Sequence, residues 1–173
     1  MESIDRVKAH YRFTSGDREN LKGLKPLMER YREDFPREFY NYIKGFEDTP
    51  KFLKDEETVK KHQDSLKEWF INLFSGEYDS NYLRNLERIG YAHVKIGLSA
   101  HYVNSAMNFV RGYCLKIVEE GIKDSLECNK MVRSLEKMLD INLDIMTSSY
   151  IEEELKTYFI SPAVESKLIQ FAN

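Results

Sequence analysis

From about residue 124 to residue 158 the chain places apolar side chains at helical spacing, with no glycine or proline in between. A β-strand of that length would be far outside the usual range, so the segment reads as one long helix that ends before Pro162. Val132, Leu135, Leu139, Leu143, Met146 and Tyr150 form one apolar row, and Met131, Met138, Ile141 and Ile145 form a second. Two rows exceed what a single core-facing stripe requires. A partner helix at a dimer interface accounts for the second row; a helix central to its own fold is the alternative.

The remainder follows the same periodicity. Eight glycines and four prolines in 173 residues, and no sustained apolar–polar alternation, predict an all-α chain. A short helix is expected over residues 3–11, and Thr14 or Ser15 caps a second with Leu21, Leu24 and Leu27 or Met28 inward. A third, through about Phe46, carries Phe35, Phe39, Ile43 and Phe46, with Pro36 marking either a kink or its start. Asp48-Thr49-Pro50 reads as a turn. Longer helices follow at about 55–74, 80–98, 99–121 and 124–158, the first of them ended by Ser75-Gly76.

Composition narrows the function. A net charge of −3 lacks the basic face of a nucleic-acid binder. Aromatic residues make up 13%, enough to line a pocket with flat side chains. Two isolated cysteines, Cys114 and Cys128, suit a reducing cytoplasm better than a disulfide scaffold, and no signal segment or membrane-length apolar run is present. A cytoplasmic location is therefore expected. No nucleophile elbow, HExxH, phosphate-binding glycine loop, EF-hand or repeated ExxH pair occurs, so no enzyme is expected. The acidic runs Asp55-Glu56-Glu57, Glu119-Glu120 and Glu152-Glu153-Glu154 read as solvated helix faces.

The chemistry that does stand out is imidazole on apolar stripes. His93 lies in line with Leu83, Leu86 and Ile89 or Gly90, and Gly90 and Gly97 bracket it. Those glycines would let a flat group approach the backbone. His62 lies in line with Val59 and Leu66 on the preceding long helix. A buried imidazole needs a partner. Two of them, projecting from facing helices into an apolar slot, could hold a haem iron from opposite sides, or could be hydrogen-bonded core residues.

At this point the segment Arg88-Ile89-Gly90-Tyr91-Ala92-His93-Val94-Lys95-Ile96-Gly97-Leu98 resembles the stretch around the proximal haem histidine of the sensor globins, the haem domains of globin-coupled sensors and protoglobins. Tyr11-Arg12-Phe13-Thr14, Phe39-Tyr40 and Leu73-Phe74-Ser75-Gly76 match in the expected order, over most of residues 10–155. The resemblance implies a globin fold with an extra N-terminal helix in a domain spanning 1–158, dimerising through the last two long helices, with 159–173 as a tail or the start of a linker. It implies haem b held by His93, and Tyr40 as a distal tyrosine reaching bound gas. O₂, CO or NO would be the ligand and sensory signalling the purpose, with a homodimer and a C-terminal output domain as partners.

Two departures from the family pattern occur. His62 stands where a bulky aliphatic residue is usual, which makes it a candidate distal iron ligand. Ala100 and Tyr102 stand where proline and tryptophan are frequent, a change expected to affect only the start of the next helix. A haem redox protein is the alternative of a different class, and a haem-free interaction module a third.

Overall fold

The computed structural model describes the backbone of residues 3–47, 49–53 and 55–160 and the side chains of 3–47, 51–53 and 55–152. Eight helices make up these residues, and no strand occurs among them: α1 (Ile4–His10), α2 (Ser15–Glu29), α3 (Asp34–Ile43), α4 (Thr49–Phe52), α5 (Glu56–Asn72), α6 (Ser80–Lys95), α7 (Ala100–Gly121) and α8 (Ser125–Ile160). The helical runs read from the sequence are all present. Of the expected turn at Asp48-Thr49-Pro50, Thr49 and Pro50 instead begin the single-turn α4, whose first residues tolerate a proline because their N–H groups have no helical partner, and Asp48 lies outside the described residues. Pro36 lies in the first turn of α3 and starts the helix rather than kinking it. The expected tail lies, from residue 161 on, outside the described residues.

The helix α8 is the spine, packed by α2, α6 and α7 on different sides. That position explains its two apolar rows. Leu135, Leu139 and Met146 of the first row and Met131, Met138, Ile141 and Ile145 of the second are all buried within the single chain. The width of the stripe is thus used inside the fold, and a partner helix is not needed to explain it. Glu152, expected in solvent, is half-buried and accepts a hydrogen bond from the Tyr91 hydroxyl. The Tyr150 hydroxyl donates to the Leu98 carbonyl at 2.8 Å, a second tie between α8 and the end of α6.

The glycines that bracket His93 have other roles than the one expected. A Cβ on Gly90 would lie 2.5 Å from the Met146 carbonyl oxygen of α8, so Gly90 permits a close helix crossing and faces a helix, not a pocket. Gly97 has φ +72° and follows the last turn of α6, whose helix it ends in the left-handed conformation; open space surrounds it.

A polar cluster joins the other end of α8 to α2. Thr14 and Asp17 form a capping box at the start of α2, and the buried Asp17 carboxylate also accepts from Lys137 Nζ at 2.9 Å and from the Ser134 hydroxyl at 2.9 Å. Burial pushes the Asp17 carboxyl up, but Lys137, the Thr14 N–H, Ser134 and the Thr14 hydroxyl together outweigh it and hold the group below its ordinary value. A carboxyl depressed in the fold stabilises above its unfolded pKa of about 3.9, and that stability is lost as pH falls through and below that value. Asp17→Ala is expected to cost about 2–3 kcal/mol at neutral pH and to lose most of that difference near pH 2, measured by denaturant titration. An equal loss at both pH values would show that the carboxylate charge is not what stabilises this junction.

Candidate functional site

The helix α5 starts at Asp55, whose carboxylate accepts from the Thr58 N–H at 2.7 Å, and this cap sets the face that carries Val59, His62 and Leu66 inward. The helix α6 starts at Asp79, which accepts from the Asn81 and Tyr82 N–H groups at 2.8 and 3.0 Å. Four turns later it presents His93 on the face of Leu86 and Ile89. The two helices, with α3, α7 and α8, line a half-open cavity of about 1140 Å³. Phe39 and Ile43 line it from α3, His62 and Leu66 from α5, Ile89 and His93 from α6, Val103 and Met107 from α7, and Met146 from α8. An apolar hollow of this size, with two convergent imidazoles, has the composition of a site for a large flat cofactor. Arg88, exposed at its rim, makes no ion pair among the described residues and suits a carboxylate on such a group.

Both sequence candidates therefore line one space, while His10 and His101 are exposed elsewhere. Burial, with a smaller push from the nearby His62, brings the His93 pKa down to about 4. Burial likewise lowers His62. At neutral pH the site holds two uncharged imidazoles, the protonation state in which a ring nitrogen binds a metal. Among the described residues the buried Nδ1 of His93 has no hydrogen-bond partner. A buried polar atom left so costs about 1–3 kcal/mol, and its persistence fits a ring whose partner is not a protein group. The residues present fit a haem with His93 as ligand.

Tyr40 is buried on α3, and its hydroxyl is 2.7 Å from His62 Nδ1 and donor-distance 3.3 Å from the Val59 carbonyl oxygen. It lines not the central cavity but a smaller one of about 440 Å³ behind it, beside Arg37, Lys44 and Gln63. In this arrangement the Tyr40 hydroxyl is engaged by His62 and reaches the central cavity through that ring. Burial pushes the Tyr40 hydroxyl up to about 12, so it stays protonated. Tyr102 lines the central cavity and packs on Phe46 with ring centroids 5.4 Å apart. It is a wall residue, beyond the expected effect on the start of α7, where Ser99 supplies the cap.

One junction was not foreseen. Asn142, fully buried on α8, donates to the Tyr82 hydroxyl of α6 and the Met138 carbonyl, each at 2.8 Å, and its Oδ1 accepts from Trp69 Nε1 of α5 at 3.1 Å. The spine is thereby hydrogen-bonded to both histidine-bearing helices. An asparagine between Leu139 and Ile145 on an apolar row was the available signal, since a buried amide needs several partners.

The helical fold and the apolar cavity with His93 on its wall are those of a globin, and the relatives place it in the sensor class. The globin domain of the Geobacter sulfurreducens globin-coupled sensor superposes with a TM-score of 0.83 at 45% sequence identity, covering 87% of this chain and 99% of that one. The ferric globin domain of E. coli DosC shares the fold alone, with a TM-score of 0.73 at 15% identity over 83% of this chain and 99% of that one. The Protoglobin family model matches residues 1–156, and the chain belongs to that family. The heme-based aerotactic transducer HemAT of Halobacterium salinarum is 26% identical over 117 residues, 65% of this chain and 24% of that protein, so the chain spans about a quarter of this relative.

Proposed function

We propose that this chain is a haem-binding domain that senses a diatomic gas, O₂ foremost and also CO or NO, and that it binds rather than catalyses. The observation that carries the reading is the pair of neutral histidines on opposite helices of one apolar cavity. His93 would hold the iron on the proximal side, and His62 on the distal side when no gas is bound. The group would be haem b, since no C-x-x-C-H sequence is present to attach it covalently. Haem iron supplies reversible gas binding; the chain supplies the axial imidazoles, the polarity above them and the exclusion of bulk water.

Signalling needs two conformations with different gas affinity. Release of His62 frees one turn of α5, and Trp69, two turns further along the same helix, is bonded to Asn142 of α8. The route we favour therefore runs from α5 through Asn142 into α8, toward an output domain in the cytoplasm and a homodimer partner. Half-buried Cys128, Val132 and Leu143, spaced along one face of α8 over about four turns, offer the surface for a second copy. Hydrogen exchange of α7 and α8 with and without CO tests the route, and equal protection in the two states removes it. Sedimentation tests the dimer, which a monomer at 100 μM, on the order of a weak dimer's dissociation constant, would exclude.

The reading itself is tested by absorption spectra of the ferric, ferrous and ferrous-CO protein beside His62→Ala. Wild type is expected to be six-coordinate and low-spin without gas, and His62→Ala to lose that signature. An unchanged spectrum in the variant removes His62 from the iron. The same histidine pair suits electron transfer, and a ferrous protein that refuses both CO and O₂ would select that redox function instead.

A further inference from the structure

The hydroxyl of Tyr40 stands between two partners that impose opposite proton arrangements on His62. A phenol has one proton and can both donate and accept. In the first arrangement Tyr40 donates to His62 Nδ1, and the imidazole carries its hydrogen on Nε2. In the second, His62 Nδ1–H donates to the Tyr40 oxygen, whose own hydrogen turns to the Val59 carbonyl, and Nε2 carries a lone pair. The heavy atoms need not move: the 2.7 Å contact serves either direction, and the 3.3 Å contact is made only in the second. Nε2 makes no hydrogen bond to any described residue, and the ring lines the central cavity, so what Nε2 carries decides what the cavity meets.

We propose that Tyr40 is a positioning residue that selects the tautomer of His62, making the ring an iron ligand in one arrangement and a hydrogen-bond donor to gas in the other. This rests on the distal role proposed above for His62, and goes beyond it by naming the group that lets one side chain do both. Without the Val59 carbonyl the second arrangement would leave the Tyr40 hydrogen without a protein acceptor, which would favour the first. With it, the hydrogen between Tyr40 and Nδ1 has an acceptor in either state, and so has the Tyr40 hydrogen of the second, while Nε2 faces the cavity in both. The proton balance closes without a change of charge. Going from the first to the second, the Tyr40 proton passes to Nδ1, the Nε2 proton leaves to water in the central cavity, and the Tyr40 oxygen regains one from water in the smaller cavity that it lines.

The group hydrogen-bonded to the outer nitrogen of a metal-ligating histidine typically affects affinity by about 10–100-fold. The test is a double-mutant cycle on the haem-loaded chain, read by the rate and affinity of CO binding to the ferrous protein, which His62 opposes when it occupies the iron. Tyr40→Phe is expected to raise apparent CO affinity by about tenfold or more in the wild-type background and by less than twofold in the His62→Ala background. In ¹⁵N-resolved NMR of the ferrous low-spin wild type, a slowly exchanging Nδ1–H of His62 with a cross-peak to the Tyr40 ring is expected. Equal effects of Tyr40→Phe in both backgrounds would overturn the proposal, because Tyr40 would then act on gas directly. Absence of the Nδ1–H resonance in a wild type whose six-coordination depends on His62 would also overturn it. If His62→Ala leaves the coordination unchanged, the distal role of His62 has failed first, and this inference falls with it.

Discussion

Replacing His93 by glycine is expected to cost the chain its haem, and imidazole added to the buffer to restore it. His93 lines the central cavity from α6, and its ring is uncharged at neutral pH because burial lowers its pKa to about 4. Loss of an iron ligand should exceed the 10–100-fold loss that follows removal of a supporting group alone, so haem retention after desalting falls at least about 100-fold. Retention at wild-type stoichiometry, with an unchanged spectrum, would show that another residue holds the iron. A leucine at the same position separates the ligand from its structural cost. Below its unfolded pKa of about 6.5 the free imidazole takes a proton that the folded haem-free chain refuses until about pH 4. Stability of the haem-free wild type is therefore complete above about pH 6.5 and falls as pH is lowered toward 4, by on the order of 2–3 kcal/mol from this group. His93→Leu is expected to lack that slope and to exceed the wild type in haem-free stability at pH 5.

The elements of this fold were legible because their signals are local. Thr14, Asp55 and Asp79 are side-chain caps, and each starts a helix where the apolar period begins. The inward stripe of α6 and that of α5 both put their histidine into the same cavity, which follows from 3.6-residue geometry alone. What was not legible depends on which helix lies opposite. The two rows of α8 look like a surplus until α2, α6 and α7 are seen to surround it. Gly90 beside a histidine looks like room for a flat group, yet the room is taken by the backbone of α8. Tyr40 and His62 lie on different helices, and only their packing shows that the hydroxyl meets a ring nitrogen rather than open space. The roles of Asn142 and Tyr102 belong to the same kind: residue type is visible in sequence, while partner identity is a property of the assembled bundle.

Gly90→Ala is expected to be the most damaging single-methyl addition in the described part of the chain. The new Cβ would lie 2.5 Å from the Met146 carbonyl oxygen, 2.5 Å from Ser149 Oγ and 3.0 Å from Ser149 Cβ. Rotation of the serine relieves one contact, but the carbonyl belongs to the backbone of α8 and yields only if the two helices separate. Overpacking of this kind costs typically 1–3 kcal/mol and occasionally more, against a gain of about 1 kcal/mol for alanine over glycine in a helix. With a backbone atom as the obstacle the upper end applies, and the net loss is about 2 kcal/mol or more. For a domain of this size that lowers Tm by roughly 4–8 °C. The displacement also reaches the site, since Met146 lines the cavity and His93 is on the next turn of α6, so haem affinity should fall with stability. Gly112→Ala is the matched control. Gly112 lies inside α7 with nothing within 4 Å of its would-be Cβ, so the helix gain of about 0.5–1 kcal/mol is unopposed and Tm should rise. Thermal melts of the two variants beside wild type decide the matter. Shifts of the same sign would mean that α6 and α8 do not cross as closely as described, and that the helix carrying His93 is not braced on the spine at Gly90.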